Sequence, residues 1–173
     1  RIPVEMAMSF LFFGKESLAQ RLIHQIKYKG NKELGILLGN MMGKAMMDAG
    51  WNHSIDIIIP LPLNKKKEIK RGFNQAALLA TGIREAMNKP IESAAVIRSK
   101  FTETQTKKSR EGRWENVAEV FELKDKNRLE NKHILLVDDV VTTGATLEAC
   151  GQALLNVSGL KLSIAALAFA SKI

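Results

Sequence analysis

Two adjacent aspartates, Asp138 and Asp139, end the aliphatic run of "HILLVDDVVTTGAT" (133–146), and a Thr-Thr-Gly-Ala-Thr turn follows two residues later. The turn leads into a segment with helical periodicity, and the first N–H groups of a helix have no partner within it. Those donors and the helix dipole favour a phosphate. Gly144 lets the backbone approach closely, and the hydroxyls of Thr142, Thr143 and Thr146 add donors. Two carboxylates beside a phosphate would repel it unless they face something else. Sugar hydroxyls resolve the conflict: carboxylates accept from vicinal hydroxyls while the loop holds a phosphate on the same sugar. The residues therefore describe a site for a ribose 5-phosphate. An acidic pair after a strand is also an ordinary helix cap or solvated turn. What favours the site is the order of parts: apolar strand, Asp-Asp, two aliphatics, Thr-Thr-Gly-x-Thr, amphipathic helix.

Positioning these groups needs a sheet with helices against it. "IDIIIP" (55–60), "HILLVDD" (133–139) and "LSIAALAFA" (162–170) are short continuous apolar runs, the pattern of strands buried on both faces. "VEMAMSFLFF" (4–13) reads as a further strand or hairpin arm, and "AAVI" (94–97) and "AEVFEL" (118–123) as short strands. Helical spacing marks 15–29, 33–49, 73–88 (capped by Asn74) and 144–157. The methionine-rich stripe of 33–49 (Leu34, Leu37, Leu38, Met41, Met42, Ala45 and Met46) reads as core filling rather than a groove. Strands alternating with helices predict an α/β fold with a mostly parallel sheet flanked by helices. In such sheets ligands bind beyond the carboxyl ends of the strands, where Asp138 and Asp139 fall.

Composition narrows the class. At 173 residues and 46% hydrophobic the chain can form one compact domain, and a charged fraction of 25% argues against wholesale disorder. No apolar run reaches the roughly 18 residues of a membrane span. The segment "RIPVEMAMSFLFFG" lacks a basic leader and a clear cleavage site. One cysteine, Cys150, excludes an internal disulfide framework or a zinc ribbon built from this sequence, and a reducing, cytoplasmic location is expected. The net charge of +8 is concentrated: window 65–71 carries +4, window 98–113 another +4, and the remaining 15 cations and 15 anions cancel. Two solvated loops would look like this, and so would two walls of a site for a polyanion.

"ILLVDDVVTTGAT" resembles the phosphoribosyl-pyrophosphate fingerprint of the type I phosphoribosyltransferases. "LIHQIKYKGN" (22–31), "IIIPLPLNKKKEIKRGFNQA" (57–76) and "QTKKSREGRWENV" (105–117) narrow the resemblance to the ComF/GntX family, associated with DNA uptake in natural competence. The resemblance covers nearly the whole chain. It implies that Asp138 and Asp139 bind the ribose hydroxyls, with Mg2+ held between hydroxyls and pyrophosphate and reached by the carboxylates through water. It implies a 5-phosphate cradle at Thr142, Thr143, Gly144, Ala145 and Thr146. Pyrophosphate would lie against Pro60, Leu61, Pro62 and Leu63, with Lys65 and Arg71 just beyond. A mobile loop at 101–113 would close over the site, bringing Gln105, Thr106, Lys107, Lys108, Arg110 and Arg113. The implied organisation is a strand and helical hood at 1–50 and a phosphoribosyltransferase-like core at 51–173. The implied reaction transfers the ribosyl phosphate to a nitrogenous acceptor such as a nucleobase.

The sequence departs from the pattern in two places. The four-cysteine zinc module that usually begins ComF proteins is missing; either it precedes Arg1 or this member lacks it. Hypoxanthine-type enzymes carry an aspartate usable as a base where this chain has Thr142, and no general base replaces it. A non-catalytic sensor of phosphoribosyl pyrophosphate, or an adaptor for single-stranded DNA or a DNA-uptake helicase, therefore stays open. Among smaller candidates, Arg71 and Asn74 in "RGFNQ" could clamp phosphate or cap a helix. His24 reads as structural, but the family pattern draws attention to it together with Lys27 and Tyr28. Trp114 could stack on a base or anchor its loop, and Cys150 reads as core.

Overall fold

Continuous aliphatic runs become strands here because a parallel sheet covered on both faces offers no wet side. The computed structural model describes residues 1–100 and 119–170. In chain order the elements are β1 (Ala7–Phe12), α1 (Leu18–Lys29), α2 (Lys32–Asp48), β2 (Ile57–Pro60), α3 (Lys65–Arg71) and α4 (Gln75–Met87). After them come β3 (Val96–Lys100), β4 (Glu119–Leu123), β5 (His133–Val141), α5 (Ala145–Leu155) and β6 (Lys161–Phe169). Four strands form one parallel sheet in the order β1-β6-β5-β2, as the α/β reading predicts. β3 and β4 pair with each other as an antiparallel ribbon outside that sheet.

Period-two alternation divides β5 between two cores. Leu135 and Val137 face the helices α1, α2 and α4, whereas Ile134 and Leu136 face α5 and the β3–β4 ribbon. Residues 134–137 have no exposed surface at all. By the usual ~25 cal/mol per Å2 of apolar area, burying each such side chain contributes about 2 kcal/mol. This rigidity fixes where the strand's carboxyl end emerges.

Helix α2 shows why residue type misleads when read without contacts. Leu38, Met42 and Met46 are buried as expected, but Leu37 and Met41 are exposed. The buried face is completed by Gly35, Gly39 and Gly43, which let α4 approach closely. A Cβ on Gly39 would lie 2.1 Å from the Leu79 carbonyl oxygen, and one on Gly82 of α4 would lie 2.0 Å from that of Ile36. The lysine-rich segment 65–71, read as a charged loop, is the helix α3; its one large apolar side chain, Ile69, is exposed, so no periodicity betrayed it. Residue 50 falls between elements of one body: β1 is an edge strand of the main sheet, and α1 and α2 share a core with α4 and β5.

Candidate functional site at the carboxyl edge of the sheet

Burial fades along β5 from Val137, fully enclosed, through the half-buried stretch 138–141. Asp138 lies at that transition. Burial, and then the charge of Asp139, push its carboxyl up to about 7 from an ordinary value of 3.8, while the backbone N–H of Asp139 partly offsets the rise. That N–H donates to Asp138 Oδ1 at 2.7 Å, and the Val140 N–H donates to Asp139 Oδ1 at 2.9 Å. Asp139 Oδ2, shielded from solvent, meets Lys27 Nζ of α1 at 2.6 Å. The helix over the site thus supplies a cation to the acidic pair. The family pattern flagged Lys27, but only the tertiary structure pairs it with Asp139.

The turn after the pair, where a 5-phosphate is expected, enters α5 through a glycine. Gly144 stands at the α5 N-terminus with φ +78, a backbone region that favours glycine. Gly144 has no side chain to cap α5, and Thr143 Oγ1 accepts the Ala145 N–H at 3.3 Å. Thr142, Thr143 and Ala145 are exposed, with Gly144 and Thr146 half-buried beside them.

The segment expected to hold pyrophosphate lies alongside. Pro60 is in register with Val137, and the Leu61 N–H donates to the Val137 carbonyl at 2.8 Å. Asn74 fastens this loop from α4: its Nδ2 donates to the Leu61 carbonyl at 3.0 Å while its Oδ1 caps the helix through Ala76 N–H. Asn74 is therefore a cap and a loop anchor. Gln75 beside it is buried, with its amide nitrogen lacking a hydrogen-bond partner among the described residues.

The two basic side chains assigned to pyrophosphate part company. Lys65 lines a cavity of about 350 Å3 with Pro60, Pro62, Leu63 and Arg98. The Arg98 guanidinium donates to the Pro62 carbonyl at 3.4 Å and lies over the Phe121 ring. Arg71 instead faces α1 across a cleft of about 620 Å3, its guanidinium 6.0 Å from the Tyr28 ring centroid. Gln105, Thr106, Lys107, Lys108, Arg110, Arg113 and Trp114 lie outside the described residues.

A further cavity of about 400 Å3 opens on Asp139. Asp139, Val140 and Thr142 form its floor, and Phe13, Ile23, His24 and Tyr28 are among its walls. His24 and Tyr28 stack with ring centroids 4.9 Å apart. Cys150 has the core role expected of it: it is fully buried, and burial pushes its thiol up to about 12.

Comparison with known proteins identifies the family and the fold. The model of the phosphoribosyl transferase domain matches residues 70–172. The solved adenine phosphoribosyltransferase of Saccharomyces cerevisiae superposes with a TM-score of 0.53 at 15% identity, over 85% of this chain and 74% of that one, a likeness of fold. The DNA utilization protein YhgH of Shigella flexneri is 33% identical over 138 residues, covering 78% of this chain and 60% of the relative. Competence protein F of Haemophilus influenzae is 34% identical over 130 residues, covering 73% and 57%. The chain belongs to the phosphoribosyl transferase domain family, within its ComF group of competence-type proteins. It spans about 60% of the length of these curated relatives.

Proposed function

We propose that the chain binds phosphoribosyl pyrophosphate with Mg2+ at the carboxyl edge of β5 and transfers the ribosyl phosphate to a nitrogenous acceptor. The observation that carries this reading is the juxtaposition of an acidic pair with a helix N-terminus entered through Gly144, both at the carboxyl end of β5. The carboxylates of Asp138 and Asp139 would accept from the ribose hydroxyls, and the α5 N-terminus with Thr142 to Thr146 would take the 5-phosphate. The Pro60–Leu63 loop, Lys65 and Arg98 would face the pyrophosphate, whose charge calls for clustered cations. Lys27 would have to leave Asp139, or share it, as hydroxyls arrive. The names of the relatives, competence protein F and DNA utilization protein, support a role in handling incoming DNA.

Mg2+ fits the donor set. Among the described residues no group of three or more His, Cys, Asp or Glu is placed to hold a metal alone. Mg2+ is commonly held through one or two carboxylates together with substrate phosphates and water, and Asp138 and Asp139 provide those carboxylates. Bound there, the ion would offset charge growing on the departing pyrophosphate.

Thermal unfolding with Mg2+ and phosphoribosyl pyrophosphate tests the site. Ligand at a hundred times its dissociation constant stabilises by about 2.7 kcal/mol, which for a chain of this size raises the midpoint by several degrees. Ribose 5-phosphate should stabilise less. No shift at millimolar ligand rejects the site, and binding without pyrophosphate release across a panel of nucleobases rejects free-base transfer.

A further inference from the structure

Two cavities share walls above the acidic pair, and their chemistries differ. Tyr28 and Lys27 line both the cavity on Asp139 and the α1–α3 cleft. The first has apolar and aromatic walls in Phe13, Ile23, His24 and Tyr28. The second is lined by five cations, Lys27, Lys29, Lys67, Lys70 and Arg71, with no carboxylate among its lining residues. Of the five, only Lys27 has a carboxylate partner among the described residues. Cations in the last turns of α1 and α3 also answer the helix dipoles, but each dipole end is worth about half a charge. Five cations exceed that need. The pyrophosphate reading does not absorb them either, because Lys65 and Arg98 stand beside the Pro60–Leu63 loop in a separate cavity.

We propose that the ligand accepted beside the ribosyl phosphate is itself phosphorylated: a nucleotide or phosphodiester terminus whose base enters the cavity on Asp139 and whose phosphate occupies the α1–α3 cleft. This rests on the reading of the site given above. An aromatic-walled cavity takes a planar base, and the cation-lined cleft that shares Lys27 and Tyr28 with it selects the bases that carry phosphate. A free nucleobase would leave the cleft unused.

The experiment measures binding of adenine, adenosine and adenosine 5′-monophosphate to the chain saturated with labelled ribose 5-phosphate. Occupying the 5-phosphate loop first prevents the nucleotide from settling there. The monophosphate should bind at least about tenfold tighter than adenosine without displacing the label, because charge-assisted contacts are the strong ones. Lys29→Gln, Lys67→Gln and Lys70→Gln combined should abolish that gain and leave ribose 5-phosphate affinity unchanged. All three lysines are exposed, so the variant should fold, and the comparison on the unaltered chain stands without it. A trinucleotide separates the sources: tighter binding than the monophosphate assigns the cleft to a strand, and equal binding assigns it to free nucleotide. Equal affinity for adenosine and its monophosphate, or displacement of the label, overturns the proposal. So does a triple variant that loses phosphoribosyl pyrophosphate as severely as nucleotide, since the cleft would then serve the pyrophosphate. A chain that binds neither sugar phosphate overturns the underlying site as well, whereas one that binds both and ignores nucleotides overturns this proposal alone.

Discussion

The two ends of β5 both carry titratable side chains, and they treat them in opposite ways. At the amino end, His133 is buried and tied to its neighbours: its backbone N–H donates to Asp56 Oδ2 at 2.9 Å, and its Nε2 shares a hydrogen bond with the buried Ser163 hydroxyl at 2.8 Å. Burial lowers the imidazole pKa and favours the neutral ring. At the carboxyl end, two carboxylates sit side by side, one with its proton affinity raised by burial and by its neighbour. A polar group tied to internal partners belongs to the architecture. Two adjacent carboxylates that share one neighbouring cation, one of them lining a cavity, are perturbed groups of the kind found at functional sites.

Substitution at the carboxyl end should separate binding from stability most sharply. Asp138→Asn keeps an oxygen for the Asp139 N–H but removes the charge, and Asp139→Asn removes the partner of Lys27. Each should weaken phosphoribosyl pyrophosphate binding by roughly ten- to a hundredfold, on the scale of a charge-assisted hydrogen bond. Asp138→Asn should hold or raise the melting temperature at pH 8, since it removes a buried like-charge contact. Calorimetric titration and thermal scans of the two variants check this; wild-type affinity in both would reduce the pair to a turn.

The amino end should show the reverse. His133→Ala strands the Ser163 hydroxyl in a fully buried position and should cost about 1–3 kcal/mol, or some 2–4 °C per kcal/mol in a chain of this length. Ligand affinity should not change. A loss of binding there would mean the two ends are coupled through the strand.

Acidity probes the contrast within a single group. The folded chain holds the Asp138 proton up to about pH 7, whereas the unfolded chain releases it near 3.8. Between those values the folded state binds more protons, so this residue's contribution to stability falls as pH rises from about 4 to 7 and is flat above and below. Ligand-free wild type and Asp138→Asn, melted in parallel across that window, should therefore diverge, the variant losing less. Parallel curves would show that Asp138 ionises as an ordinary surface carboxylate does.

The smallest effect is expected at Gly144. A side chain at φ +78 strains the backbone by about 1–2 kcal/mol, although a Cβ there would meet open space. Gly144→Ala should lower the melting temperature by a few degrees and weaken ribose 5-phosphate modestly, with little effect on adenosine. Equal weakening of both ligands would place the turn in contact with the acceptor.

Local chemistry was legible without coordinates wherever the information is itself local. The aliphatic runs of β2, β5 and β6 marked those strands and the Thr-Thr-Gly-x-Thr order marked the start of α5, because strand burial and helix-start geometry depend on neighbours in sequence, although β5 runs on through the acidic pair to Val141 rather than stopping at Asp139. Asn74 as a cap belongs to the same class. Contacts between distant segments were decided only by the tertiary structure. Lys27 meets Asp139 because α1 is laid over β5, and Lys65 and Arg71 separate because α3 is a helix whose ends face different cavities. The glycine face of α2 belongs here too, since a missing side chain signals nothing until α4 is packed against it. Periodicity reports which face of an element is apolar, but which charges share a cavity depends on how elements far apart in the chain are brought together, and no local pattern records that.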